Sequence, residues 1–265
     1  MKYLIPVVLV ALSFTACSTQ KEESQSSLTK EKAIEENPAA EGFNKAGSDA
    51  KAIAIADEVM KTMGGRQAWD DTRLLAWNFF GARKLLWDKQ SGDVRIESGR
   101  DDLKIIMNIH TKKGRVFKNG AEFSDADSIT HYLDRGERIW INDSYWLVMP
   151  YKLKDSGVTL KYLREDTTVT GASADVLQLS FENVGVTPDN VYEVFVEKEK
   201  KLVTQWAFYR EPDQEEPNFI TPWGEYAKYG GIMLSGDRGE RDLTEIRVLS
   251  TVPENAFTSF GSYSL

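Results

Sequence analysis

The chain has one cysteine in 265 residues, Cys17, so no disulfide can form within it and its stability has to come from packing. Histidine is nearly as scarce. Only His110 and His131 occur, with no His-x-x-x-His pair, so the clustered ligands of a metal site are missing and none is expected. The same scarcity speaks against a Cys–His or Ser–His hydrolase, and "GASAD" (171–175) is not a Gly-x-Ser-x-Gly elbow. Ser27-Leu28-Thr29-Lys30 matches Ser-x-x-Lys, but it lies in a polar stretch with no scaffold to position it. There is no phosphate-binding Gly-x-x-x-x-Gly-Lys and no dinucleotide fingerprint, and no cofactor is expected. Basic residues are outnumbered, 33 Lys and Arg against 41 Asp and Glu, and form no cluster, which argues against nucleic acid as a partner. After Phe14 no apolar run is long enough for a spanning helix.

What the chain does have begins at its N-terminus. Met1-Lys2 is a short basic start, Tyr3 to Phe14 is almost wholly apolar, and the small pair Thr15-Ala16 precedes Cys17. This reads as a secretory signal over residues 1–16, too short to span a bilayer. Small residues leading into a cysteine resemble the lipobox of bacterial lipoproteins, with Phe14 where that family usually has Leu. The resemblance implies lipidation at Cys17 and a membrane as partner through the lipid anchor. Gln20-Lys21-Glu22-Glu23 resembles the charged tetrapeptide of surface-exported lipoproteins of the Bacteroidetes. An outer-membrane location is expected, with the periplasmic face and the cell surface both open. Residues 17–48 are rich in Ser, Glu, Lys, Gln and Ala, with Phe43 their only aromatic, and such a composition predicts a disordered tether.

The folded domain is expected over 49–265. Ile53, Ala56, Val59, Met60 and Met63 recur at helical spacing, with Gly64-Gly65 as a stop. Leu75, Trp77 and Phe79 then alternate as a strand does. "WDKQSGDVRI" (87–96) reads as a hairpin, and Leu103, Ile105, Met107 and Ile109 continue the period of two. Lys113-Gly114 and Asn119-Gly120 mark further turns. At Ser124 the period changes: Ser124 is a candidate N-cap, Asp125 and Asp127 suit a helix N-terminus, and Ile129, Tyr132 and Leu133 share a face. Residues 124–153 are expected as a helical insertion, broken near Gly136 or Asn142-Asp143, covering an open side of the sheet. Strands resume with Leu177, Leu179 and Phe181, then Tyr192, Val194 and Val196, then Leu202, Trp206 and Phe208. The predicted fold class is α+β, mainly β: a curved antiparallel sheet, an incomplete β-barrel, with helices lidding its concave face.

Two stretches, "YWLVMPYKLKDSGVTL" (145–160) and "DVLQLSFENVGVTPDNVYEVFVEKEKKLVTQWAF" (175–208), resemble an uncharacterised Bacteroidetes lipoprotein family and, more distantly, the outer-membrane lipoprotein carrier (Lol) superfamily. The resemblance implies a half-barrel lipocarrier-like domain whose helices lid an apolar cavity for acyl chains, and it brings no catalytic residues. Leu75, Trp77, Phe79, Ile105, Met107, Leu177, Leu179, Trp206 and Phe208 are the expected cavity lining, for a lipid or other hydrophobic small molecule. The expectation is a binding protein rather than an enzyme. Two alternatives stand beside it: a structural or interaction lipoprotein whose aromatic residues fill the core, and a carboxylate-based hydrolase of cell-envelope material.

Lipidation has a direct test. Cys17→Ser is expected to abolish metabolic labelling with a fatty acid and to release the protein from membranes; equal labelling of both forms would exclude the anchor.

Overall fold

The computed structural model describes Met1 and residues 36–262, apart from 183 and 186–188. The signal segment, Cys17, the Gln20–Glu23 tetrapeptide and most of the expected tether lie outside the described residues. From residue 36 onward the chain belongs to one unit, Glu35–Leu265. Among the described residues no helix is long and apolar enough to cross a membrane.

The first helix, α1 (Ala50–Thr62), buries Ala52, Ala56, Val59 and Met60, with Met63 just beyond its end. That is the three- and four-residue spacing of a single buried stripe; Ile53 lies half-buried beside it. Gly64 then turns the chain into a second short helix, α2 (Gly65–Asp71), where only a stop was expected.

The alternating segment becomes an antiparallel meander of β1 (Leu74–Phe79), β2 (Arg83–Asp88), β3 (Asp93–Ser98), β4 (Leu103–Asn108), β5 (Lys113–Lys118) and β6 (Ala121–Glu122), paired in chain order. Asn119 and Gly120 make the last turn, both at positive φ. Gly114 is not in a turn but inside β5.

The helical insertion is α3 (Ala126–Val148), continued by a 3-10 turn over Met149–Lys152 that contains Pro150. Its cap is Asp125 rather than Ser124: the Asp125 carboxylate accepts the Ser128 N–H at 2.8 Å. The expected break does not occur, because both suspected positions serve packing. At Gly136 an added Cβ would lie 3.0–3.1 Å from Met107 and Ile105 of β4. At Gly114 it would lie 2.4 Å from the Ile106 carbonyl and 2.8 Å from Leu133 of the helix. Two glycines, one on each partner, therefore let α3 settle closely on the sheet. Asp143 fixes its register. Its buried carboxylate accepts two hydrogen bonds from the Arg83 guanidinium, at 2.7 and 2.9 Å.

A second sheet holds β7 (Val158–Thr167), β8 (Ser173–Phe181), β9 (Val191–Glu197), β10 (Leu202–Tyr209) and β11 (Phe219–Pro222), in the order β11-β10-β9-β8-β7. β12 (Gly224–Tyr229) and β13 (Ile232–Asp237) form a separate hairpin. β14 (Leu243–Leu249) returns to pair with β1 and completes a seven-stranded first sheet. The protein is thus mainly β, with curved antiparallel sheets not closed into a barrel and helices packed on them. One continuous sheet was expected; the strands divide into two large sheets and a hairpin. Inward residues of both sheets, including Leu75, Ile96, Val116, Leu177 and Val194, meet α1 and α3 in one core.

Part of the expected tether is folded. Ala40 N–H donates to the Lys154 carbonyl at 2.9 Å, Gly157 N–H to that of Gly42 at 2.9 Å, and Asn44 N–H to that of Val158 at 3.0 Å. Asn37 is buried, its side chain donating to Asp57 at 2.7 Å, and Phe43 packs against the core. Polar composition hid this because backbone groups, rather than apolar side chains, make most of the contacts.

The Arg83–Asp143 pair predicts a pH-dependent deficit. Burial raises the Asp143 carboxyl above its ordinary value, and the Arg83 hydrogen bonds and charge pull against that rise. Arg83→Met leaves a buried carboxylate without its counter-ion, held by the Asn142 side-chain amide alone, and is expected to cost about 3–5 kcal/mol at neutral pH. With the folded pKa above the unfolded one, stability is kept below the unfolded value and lost as pH rises through the folded one. Urea titrations should therefore show the deficit shrinking as the pH falls towards about 4.

Candidate ligand-binding cleft

The second half of α3 carries Ile141, Ser144, Tyr145 and Val148 at helical spacing, and this face does not reach the packed core at every point. Between it and the second sheet lies a cleft of about 350 Å³ lined by seven aromatic rings, from Trp87, Trp140, Tyr145, Trp146, Phe181, Tyr192 and Trp206. That volume falls within the range of small-molecule sites.

Each ring is placed by a different element. Trp87 of β2 meets Trp140 of α3 edge-on, with ring centroids 5.4 Å apart. Tyr192 of β9 stacks on Trp206 of β10 at 4.9 Å, and Phe181, at the end of β8, meets Tyr192 edge-on at 5.7 Å. Trp146 packs edge-on against Trp206 at 4.8 Å and stacks on Phe219 of β11 at 5.9 Å. Behind it Arg238 is buried, donating to the Trp146 carbonyl at 2.7 Å and lying 3.5 Å above the Trp223 ring. Burial lowers the Arg238 pKa to about 9, which leaves it charged at neutral pH. Among the described residues, charge in the lining is confined to Lys152 and Asp155, which pair with each other three residues apart.

Several polar atoms here have no partner. The indole nitrogens of Trp87, Trp140 and Trp206 and the Tyr145 hydroxyl are buried without a hydrogen bond. The Trp77 and Trp223 nitrogens share that state, but those residues do not line the cleft. A buried donor left unmade costs about 1–3 kcal/mol. Burial, reinforced by Tyr192 and Asp155, raises the Tyr145 pKa well above that of free tyrosine, so the hydroxyl keeps its proton.

Of the nine residues expected to line a cavity, one lines the cleft and eight have other places. Leu75, Trp77, Phe79, Ile105, Met107, Leu177 and Leu179 are buried in the common core and do not line the cleft. Trp206 belongs to both. Phe208 is half-buried beside the cleft, stacked on Phe219 at 5.0 Å and tilted against Tyr192 at 5.4 Å. The sequence reading missed the aromatic residues of α3, although the three- and four-residue spacing of Ile141, Ser144, Tyr145 and Val148 carried the signal. Among the described residues, no group of three or more His, Cys, Asp or Glu side chains is placed to hold a metal ion.

No protein-family model matches the chain, and no curated protein matches it. Among solved structures it is similar to a DUF1329 family protein from Desulfovibrio piger, at 12% identity and a TM-score of 0.41, over 78% of this chain and 96% of that one. It is also similar to the Pseudomonas aeruginosa MucA/MucB complex structure, at 13% identity and a TM-score of 0.25, over 68% of this chain and 59% of that one. A structure of MucB gives 11% identity and a TM-score of 0.25, over 78% of this chain and 70% of that one.

Because the Tyr145 hydroxyl has no partner, Tyr145→Phe removes a buried cost and no bond. The variant is expected to melt at or a few degrees above the wild-type temperature by calorimetry. A clear loss of stability would mean that the hydroxyl is bonded in the free protein.

Proposed function

We propose that the protein is a lipid-anchored lipoprotein of the bacterial outer membrane that binds an acyl chain or another apolar ligand. The cleft between α3 and the second sheet is the binding site. The observation that carries this reading is the open, ring-lined cleft itself: a packed core has no use for seven aromatic side chains around an unfilled volume of about 350 Å³. The anchor rests on Thr15-Ala16-Cys17 after the apolar run. Such a tether would hold the cleft near a bilayer, where apolar ligands are concentrated.

The filled core moves the site from the concave face to one end of the lidding helix. It also favours part of the structural-lipoprotein reading, since most of the residues first assigned to ligand are packing. A carboxylate-based hydrolase finds less support. Among the described residues Asp155 is the only carboxylate in the cleft lining and is already paired with Lys152, whereas acid–base cleavage of a glycoside takes two carboxylates.

Two substitutions separate cleft from core. Ile141→Trp places a larger side chain on the cleft wall and is expected to abolish binding of a fluorescent fatty-acid probe with little change in melting temperature. Met107→Trp overpacks the core, which is expected to cost about 1–3 kcal/mol while leaving probe affinity at the wild-type value. The reverse pattern would put the ligand in the core.

A further inference from the structure

Three of the cleft's rings meet as the walls of a corner. Tyr145 of α3, Phe181 at the end of β8 and Tyr192 of β9 all line the cleft and are half-buried. The Tyr145 and Phe181 planes stand at 75° with centroids 6.2 Å apart, and those of Phe181 and Tyr192 at 85° and 5.7 Å. Tyr145 and Tyr192 lie 5.8 Å apart at 44°. A point about 4.5 Å from each of two perpendicular faces leaves their centres about 6 Å apart, a spacing at which two rings can share one cation. From this corner we propose that the cleft takes a methylated ammonium group, a quaternary nitrogen carried on an apolar body. The inference deepens the apolar-ligand reading and rests on it.

Elsewhere the protein supplies such cations from its own side chains. Lys51, Lys89 and Arg238 stand 3.5, 3.3 and 3.5 Å from the ring centres of Tyr162, Trp69 and Trp223. Among the described residues no Lys or Arg lies over Tyr145, Phe181 or Tyr192. The cations nearby are engaged, Lys152 with Asp155 and Arg238 with Trp223 and the Trp146 carbonyl. Ring faces are electron-rich, so these three attract a cation brought by a ligand and disfavour a carboxylate. Burial, then the fields of Tyr192 and Asp155, raise the Tyr145 pKa, which puts the Asp155 carboxylate within electrostatic reach of the same corner. Methylation decides between kinds of cation. A primary ammonium carries three N–H groups that are costly to bury without acceptors. A quaternary nitrogen carries none, and its methyl groups fill apolar space while the rings meet its charge.

The test uses the unlipidated full chain (Cys17→Ser) and follows intrinsic tryptophan emission, since four of the cleft's rings are indoles. Choline is compared with its neutral carbon analogue, in which a tert-butyl group replaces the trimethylammonium. Octyltrimethylammonium is compared with octylammonium and octanoate. In each set the quaternary compound is expected to bind about tenfold more tightly than the others. Phe181→Leu and Tyr145→Leu are expected to lose about fivefold in choline affinity with the neutral analogue nearly unmoved, whereas Tyr145→Phe, which keeps the ring, holds the parent value. Melting temperatures identify any variant that fails to fold. Within that result, choline binding as tightly as the octyl compound assigns a free small cation, and a gain with the chain assigns an amphiphile. Equal affinity for choline and its neutral analogue would overturn the inference while leaving the apolar cleft standing. So would octylammonium matching octyltrimethylammonium, which would point to Asp155 alone, or a preference unchanged in both leucine variants. If no octyl compound perturbs the emission of the parent protein, the cleft reading falls as well.

Discussion

The position of α3 depends on one ion pair, buried at Asp143 and partly buried at Arg83. Arg83 at the start of β2 and Asp143 near the end of the helix join the first sheet to the element that forms one wall of the cleft. A buried pair is costly to desolvate and gains it back only with good geometry, which the two parallel hydrogen bonds supply. Its value lies in register. Each residue turns a helix by about 100°, so a slip of one position would carry Asp143 away from Arg83 and Tyr145 out of the cleft. Gly114 and Gly136 allow the close approach that this pair requires.

The outer face of the first sheet uses the same chemistry for a different purpose. Arg95 is fully buried in β3, and its guanidinium donates to the carbonyls of Ala256 and Gly261 at 2.9 and 2.8 Å. The C-terminal segment is thereby laid over the outer face of the first sheet, where Ala256 packs with Ala76 and Leu86. Both faces of that sheet are covered, one by helix and one by tail, which explains why Leu86 is as buried as its inward neighbour Leu85.

Much of the fold was legible in the sequence, because alternation with period two states which residues share a face. Leu75, Trp77, Ile105 and Leu179 are all inward, as their spacing requires. What spacing does not state is what the face meets. A row of apolar residues reads the same over a packed helix as over an empty volume, so most of the residues assigned to the cavity are packed in the core, while Trp206 also lines the cleft. Turn chemistry misled at Gly114, where the glycine makes room for Leu133 rather than bending the chain. The division into two sheets had no local signal, since it depends on which strand pairs with β1, and that partner is β14, far along the chain. The aromatic cleft was partly readable from Tyr145 and its neighbours, but it needs Trp87 and Tyr192 from distant strands, which only the tertiary fold brings there.

The folded stretch ahead of α1 has a further consequence for the second sheet. β7 is an outer strand of that sheet, and a bare outer strand invites pairing with another chain. Here Asn44 and Asp49 N–H groups donate to Val158 and Leu160, while the Ser48 hydroxyl and the Asp49 carboxylate receive the Leu160 and Tyr162 N–H groups. Past the bulge between Tyr162 and Arg164 the strand carries Arg164, Glu165 and Asp166, whose charges discourage stacking. The opposite edge, β11, is four residues long and ends in Pro222, which has no N–H to offer. Both margins of the sheet are thus poor templates for strand addition, so a cleft lined with half-buried rings can sit beside them without the protein being drawn into self-association by its own backbone.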